Sequence, residues 1–483
     1  MLASRSPQEL TQRGRFAFLL KDAALYGGAA AVNKAFSLVT FPILARHFSV
    51  AEYGVLDYFV VLSGLLAIFF VFGQDSAVAR FFYESDELAD RRQLISQSFF
   101  FQIAVILAFL PILWWAAAWI TPWLIAGTGH DQLFRIVSLQ LPCLVMINFS
   151  QNLLKWNFER VKFLSMTLGA TIVQMSILVL SVRMGGLDIA GVLWISLATH
   201  AVFAVVGLFF VRHWLTWPSG WSHLRRMLPY AIPMGIVCCI GALSPTLERS
   251  LTDTLLGAES LGLYAAAAKI AMLIGLLVSS FQTAWGPFSL ALHRQPDAGE
   301  TYNRVFKWFA LGACVVALLI TGLSDPLLRI LAGERYLGAS VVVFPVVMSL
   351  AVQATSWITE IGIGISKRSY LSLYAYTASL GTTLIGITVF TAVFGLMGVG
   401  VGVLLGLIVK AMLASWLAQI AYPLPWDYRH VIVLLGLTMV AGFGGTLVKI
   451  QYGEGAAILT LAIGIGVVIA ASVCNVFTQK SGP

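Results

Sequence analysis

Ser49-Val-Ala-Glu-Tyr-Gly54-Val-Leu56 runs on into Asp57-Tyr-Phe-Val-Val-Leu-Ser-Gly-Leu-Leu-Ala-Ile-Phe-Phe-Val-Phe-Gly73, and this stretch decides the fold. Its first part is a short polar junction. From Val55 to Gly73 it turns apolar for close to the ~20 residues that a helix rising 1.5 Å per residue needs to cross a hydrocarbon core. Comparable runs recur along the chain. The fourteen spans read this way are 23–45, 55–73, 94–118, 132–154, 163–183, 189–211, 229–255, 260–282, 305–324, 339–363, 370–393, 396–418, 431–449 and 456–477. Hydrophobic residues make up 59% of the 483 and charged residues 11%, too few to coat a body in water. The bilayer is therefore the solvent, and no extramembrane domain fits between the spans. An enzyme with a soluble catalytic body is excluded on that ground.

The charges give an orientation. With the amino terminus inside, twenty of the 30 Lys and Arg residues fall on inner segments and six on outer ones, so both termini are expected in the cytoplasm. Tryptophans support this register. Trp114, Trp115, Trp119 and Trp123 gather at an outer end, and Trp156, Trp214, Trp217 and Trp221 at inner ends. The apolar run after Lys21 has no small-residue cleavage site, so the first span reads as uncleaved. Cys143, Cys238, Cys239, Cys314 and Cys474 all lie in apolar segments without metal-ligand spacing, and read as packing residues. No phosphate-binding loop, zinc motif or calcium loop is present, so no cofactor is expected.

The opening junction has a copy. Ser49-Val-Ala-Glu-Tyr-Gly54 is similar to Gly257-Ala-Glu-Ser-Leu-Gly262 at an offset of 208, between spans 7 and 8. Gly186-Leu187 and Gly191-Val192 match Gly395-Leu396 and Gly400-Val401 at 209, and Lys162-Phe163 matches Ser369-Tyr370 at 207. Six spans separate the copies, and an even number preserves orientation. The expected fold is thus all-α, a polytopic protein of two parallel six-helix lobes plus two C-terminal helices. The lobes are expected over 1–215 (spans 1–6) and 216–425 (spans 7–12), with the extra helices in 426–483. Gly398, Gly402 and Gly406 in span 12 repeat every four residues, which predicts a close helix approach.

Charges inside hydrocarbon cost roughly 2.5–3.5 kcal/mol each on insertion scales, so they mark a cavity or a partner. Lys34 is central in span 1, Glu248 and Arg249 lie in the outer half of span 7, Lys269 is central in span 8, Glu360 lies in the inner part of span 10 and Lys410 is central in span 12. Four are positive and two negative, which suits an anionic ligand held by Lys34, Arg249 and Lys269. Structural pairing is the competing reading. Arg249 has i,i+4 spacing to Asp253, and Glu360 stands to neutralise Lys410. Pro229, Pro233 and Pro245 punctuate span 7, as in a broken helix beside a cavity or a kink that serves packing. Asp75 and Arg80 close span 2 at the inner face, as a solvated end, a gate or a headgroup contact. His200, central in span 6, reads as a satisfied core histidine, with a proton carrier as the other reading.

Phe41-Pro-Ile-Leu-Ala-Arg-His-Phe-Ser-Val-Ala-Glu-Tyr-Gly54, Phe72-Gly-Gln-Asp-Ser-Ala-Val-Ala-Arg80 and Leu247-Glu-Arg249 with Leu256-Gly-Ala-Glu-Ser-Leu-Gly-Leu-Tyr264-Ala-Ala-Ala-Ala-Lys269 resemble the Wzx-type polysaccharide flippases. These share a superfamily with multidrug antiporters and lipid II flippases. The resemblance implies movement of an undecaprenyl-diphosphate-linked oligosaccharide between leaflets of a bacterial inner membrane, by alternating access through a cation-lined cavity. Arg80, Arg249 and Lys269 fall on basic positions of the matching motifs, whereas Lys34 and Lys410 are this chain's own. It further implies membrane lipids, a polysaccharide polymerase and export machinery as partners, no nucleic acid, and coupling to a proton or sodium gradient. Two other classes stay open: an antiporter of drugs or small cations, and a non-transporting subunit of a polysaccharide assembly complex.

Overall fold

The computed structural model describes residues 28, 32, 36–82, 84, 87–127, 129–292, 298–366, 368 and 370–480. Lys34 and the basic residues of the amino terminus lie outside the described residues. The described chain is helical throughout. Helix α1 covers 36–47, followed by α2 (Val50–Val71), α3 (Gln74–Phe82), α4 (Leu88–Leu124), α5 (Asp131–Trp156), α6 (Arg160–Met184) and α7 (Ile189–Val211). A second series comprises α8 (Ser222–Leu256), α9 (Ala258–Leu292), α10 (Ala298–Gly322), α11 (Ser324–Leu331), α12 (Ser340–Thr359), α13 (Ile361–Ser366), α14 (Tyr370–Phe394) and α15 (Leu396–Ala421). Two more, α16 (Tyr428–Tyr452) and α17 (Glu454–Lys480), close the chain.

Thirteen helices among the described residues are long and apolar enough to cross a membrane, and they coincide with spans 2–14. Span 1 is represented by α1. The ends differ from expectation in places. Span 3 belongs to a helix of 37 residues and span 7 to one of 35, because both continue as polar turns beyond the apolar run. Asp75 and Arg80 do not close span 2. Phe72 (φ 42°) and Gly73 (φ 72°) break the chain there, and both charges sit on the separate helix α3. A phenylalanine in the left-handed region costs roughly 1–2 kcal/mol, so the packing around it must hold the break in place. Gly235 of α8 supplies that packing, its backbone lying against the Phe72 carbonyl.

Local sequence explains the helix starts. Ser49 accepts from the Glu52 amide while Glu52 accepts from the Ser49 amide, a reciprocal cap at the head of α2. Asp188 and Asp427 cap α7 and α16 more simply, one carboxylate oxygen of each accepting from the amides of Gly191 and His430. Between α8 and α9 a single residue, Gly257 at φ 83°, reverses the chain, a conformation that a side chain resists.

Packing repeats as the sequence does. The α5–α7 contact recurs as α12–α15, α2–α5 as α9–α12, α4–α5 as α10–α12, and α6–α7 as α14–α15. In the last pair Gly402 meets the backbone of Gly386 and Ile387, Gly398 that of Phe390, and Gly406 that of Ser379, the close approach the four-residue glycine period predicts. Helices α16 and α17 pack on α10. Ion pairs hold them there at both ends: Lys307 to Asp427 at 2.5 Å, Lys449 to Asp325 at 2.5 Å, and Arg329 to Glu454 at 2.5 Å.

The two repeats meet at α2 and α9. A Cβ on Gly54 would lie 2.9 Å from the Gly262 Cα and 3.0 Å from the Ala258 carbonyl, and one on Gly262 would run into the Val50 carbonyl. Val50 and Ala258, like Gly54 and Gly262, are 208 residues apart. Each copy therefore touches the other with the same residues, the signature of a two-fold axis through the contact.

Candidate functional site

One turn below that glycine contact lies a cluster of charges between the repeats. Helix α8 brings Arg249 to it. Pro245 removes an N–H from the helix ladder, and its carbonyl accepts from Arg249 Nη1 at 3.1 Å. Arg249 Nε donates to Asp57 Oδ2 at 2.8 Å, so α8 is tied to α2. Lys269 of α9 approaches the other Asp57 oxygen at 3.4 Å and the Ser37 hydroxyl of α1 at 3.5 Å. Asp57 is 4% exposed and Arg249 7%, while the Lys269 side chain keeps 19% of its surface open. Three helices thus meet at one carboxylate, and α1 joins them through Lys269.

Around this triad the remaining charges are also engaged. Glu248 accepts from the Tyr264 hydroxyl and from the Ser244 hydroxyl, both at 2.8 Å. Arg249 lies 5.7 Å over the Tyr264 ring. Asp253 does not pair with Arg249 as the i,i+4 spacing suggests. It accepts instead from the Ala126 amide at 2.6 Å, in the junction between α4 and α5, while Arg249 bonds to Asp57 across the interface. Further out, Arg335 donates to the carbonyls of Ala45 and Arg46, and Arg46 to the carbonyl of Ile330 at 2.6 Å. These bonds tie α1 to α11 and the turn after it on the face that the charge distribution predicts to be outer.

Asp57 is a site residue that the sequence reasoning misses. It is the one charge in the span that opens the argument, and a census of acids as well as bases within the spans would have found it. Its inclusion alters the electrostatics. Asp57 and Glu248 against Arg249 and Lys269 make a neutral cluster, so any anion received here must compete with Asp57 for the cations.

The other predicted residues sit apart from this cluster. Lys410 on α15 is 2.8 Å from Glu360, which ends α12, and 3.4 Å from the Ser356 hydroxyl, with its ammonium 4.8 Å over the Tyr376 ring. This is the neutralising pair the sequence suggests. Beside it an apolar groove of about 640 Å³ runs between α10, α12, α15 and α16, with Ser356, Thr359 and Ser415 as polar points on its wall. On the predicted inner side the Arg80 guanidinium lies 4.7 Å over the Tyr230 ring, Arg226 pairs with Glu84 at 2.7 Å and His223 with Asp90 at 3.2 Å. The latter four residues border a pocket of about 230 Å³ between α4 and the start of α8. Asp75 accepts from the Ser76 amide at 2.7 Å. His200 is not the satisfied core histidine expected: its Nδ1 is buried with no hydrogen-bond partner. Among the described residues no cluster of His, Cys, Asp and Glu has the makings of a metal site.

Comparison with known proteins places this architecture. A search of curated protein sequences gives no match. Among solved structures, the lipid II flippase MurJ in an inward closed conformation superposes with a TM-score of 0.73 at 15% identity, covering 94% of this chain and 99% of its own. An inward-facing multidrug resistance MATE family transporter of the MOP superfamily gives 0.67 at 14% identity, over 80% of this chain and 94% of its own. An outward-facing MATE transporter gives 0.57 at 15% identity, over 82% and 95%. The fold is the one these proteins share. Residues 19–293, more than half of the chain, match the polysaccharide biosynthesis protein family, and the chain belongs to that family.

Proposed function

We propose that this protein is a flippase that carries a polyprenyl-diphosphate-linked oligosaccharide from the cytoplasmic to the periplasmic leaflet of a bacterial inner membrane, for surface or exopolysaccharide assembly. The observation that carries the reading is the Asp57–Arg249–Lys269 triad on the two-fold seam between the repeats. Family membership and the fold shared with a lipid II flippase support the choice of cargo.

The mechanism follows from competition for two cations. A diphosphate in bare hydrocarbon faces a Born-type penalty of order tens of kcal/mol in the limit. Guanidinium and ammonium together remove most of it, the first as a fork and the second as a point charge. With Asp57 on both cations the seam between α2, α8 and α9 is tied. Cargo phosphate drawing Lys269 and then Arg249 away from Asp57 frees the carboxylate that ties α8 and α9 to α2. Binding thereby loosens the outer seam. The sugar crosses between the repeats while the prenyl chain stays in lipid.

The test is complementation of a strain lacking the gene, scored by surface polysaccharide and by the mass of lipid-linked intermediates. Arg249→Ala and Lys269→Ala are expected to abolish polysaccharide and to accumulate a lipid-linked precursor on the cytoplasmic side. Full activity in both removes the proposal. One observation favours a second reading: the neutral balance of the cluster, together with the MATE likeness, suits an exporter of amphipathic cations. That reading requires drug resistance on expression, with Asp57→Asn abolishing it.

A further inference from the structure

The pocket of about 230 Å³ on the predicted inner side is lined by charges of both signs. Arg91 and Arg226 bring guanidinium groups, Glu84 and Asp90 carboxylates and His223 an imidazole, while Phe81 and Leu94 supply the apolar part. It lies across the repeats, since α3 and α4 belong to the first and α8 to the second. The chain that leads into α8 is strapped to α4. Gln93 donates to the Trp217 carbonyl at 3.1 Å and accepts from the Ser219 amide at 2.9 Å, Ser96 accepts from the Thr216 amide at 2.9 Å, and Gln97 accepts from the Leu224 amide at 3.1 Å. Further along the same seam the backbone of Gly73 lies against Ala231 and Gly235 of α8. The frame of the pocket is therefore set before any ligand arrives.

Its ion pairs leave room for more partners. Arg226 meets Glu84 at 2.7 Å and His223 meets Asp90 at 3.2 Å, yet the side chain of Arg226 is 64% exposed and those of Glu84 and Asp90 are each 42% exposed. A carboxylate accepts about four hydrogen bonds and a guanidinium donates about five, so an ammonium and a phosphate can both be received without breaking a pair. Depth points to a lipid. Leu94 begins the third apolar run, and the exposed Trp217, with its ring 5.4 Å from that of Phe100, and Trp221, two residues before His223, stand where interfacial anchors do. The space is smaller than the ~300–1,000 Å³ of sites for drug-sized ligands, which suits a headgroup. Bases alone would draw an anionic headgroup. Two carboxylates beside two guanidinium groups select one that carries both signs, and a quaternary ammonium has no N–H to give them.

We propose that this pocket binds the headgroup of a zwitterionic phospholipid with a primary ammonium, its phosphate on Arg91 and Arg226 and its ammonium on Glu84 and Asp90. The bound lipid joins the inner ends of the two repeats, as Arg249 and Asp57 join them further out. The site is separate from that triad and does not depend on which cargo the protein carries.

The experiment is thermal unfolding of the purified full-length protein, delipidated in detergent, with rising mole fractions of dioleoyl phosphatidylethanolamine, phosphatidylcholine or phosphatidylglycerol in the micelle. The expected result is a saturable rise in Tm with phosphatidylethanolamine that neither of the others reaches, since a ligand that binds only the folded state stabilises it by mass action. Glu84→Gln with Asp90→Asn is expected to raise the half-saturating mole fraction of phosphatidylethanolamine by about tenfold, at about threefold for each exposed charge contact, and to let phosphatidylglycerol match it. Should the double variant fail to fold, Glu84→Gln alone decides, with a rise of about threefold. Arg329→Gln, on the far face, leaves the response unchanged. Equal rises with all three lipids mark ordinary boundary lipid and overturn the proposal. A larger rise with phosphatidylglycerol marks an anion site and overturns it as well. The same saturable rise with soluble O-phosphoethanolamine marks a water-borne ligand and overturns the assignment to a lipid. A phosphatidylethanolamine response that the deciding variant leaves unaltered overturns it equally.

Discussion

Two buried ion pairs, Arg249 with Asp57 and Lys410 with Glu360, have the same chemistry and different consequences. Lys410 and Glu360 both belong to the second repeat, so their bond holds α12 to α15 within one lobe. Removing one partner leaves a charge in the interior, which costs about 3–5 kcal/mol, while removing both is close to neutral. Lys410→Met is therefore expected to destabilise the protein by that amount in denaturant unfolding, and Lys410→Met with Glu360→Gln to recover most of it. Arg249 and Asp57 lie on different repeats, and the same substitution acts on conformation. Asp57→Asn is expected to lengthen the distances between spin labels on the α4–α5 and α10–α11 junctions, read by pulsed electron resonance, without an equal loss of stability. Sequence makes the first pair legible, since an isolated acid in the inner part of span 10 and an isolated base central in span 12 leave few other partners. Asp57 is not legible in that way. Its meaning arises only when spans 1, 2, 7 and 8 converge, 192 residues of chain separating it from Arg249.

Among the elements, α2 and α9 depend on the absence of two side chains. Any Cβ at Gly262 meets the Val50 carbonyl, so Gly262→Val is expected to wedge the outer seam apart and to shift the same spin-label distances in the direction of Asp57→Asn. Gly436→Val, where nothing lies within 4 Å, is expected to leave them unchanged. The C-terminal pair rests on charges. Asp325→Asn and Asp427→Asn each take the carboxylate from a largely buried lysine ammonium, and the expected result is a lower Tm in both. The apolar runs predict α2, α4 to α10, α12 and α14 to α17 because length and hydropathy suffice for that. They do not predict α3, α11 or α13, short helices of 9, 8 and 6 residues whose existence depends on what they pack against. Nor do they predict the break at Phe72, where a bulky residue takes a left-handed conformation that sequence alone disfavours.

At the scale of the whole molecule, the parallel arrangement was legible from three short matches at nearly one offset, since an even number of intervening spans leaves no other orientation. What they could not show is that the best of them is itself the contact. Gly54 and Gly262 are equivalent positions that touch, with Val50 and Ala258 exchanging the same places on either side. A surface that is its own complement needs no covalent link to assemble. Each side presents the same residues to the other, so the contact would serve as well between two separate six-span polypeptides. The segment 215–221, which is not helical, joins the two halves. Cut there and produced as two polypeptides, the halves are expected to reassociate in the membrane and restore complementation.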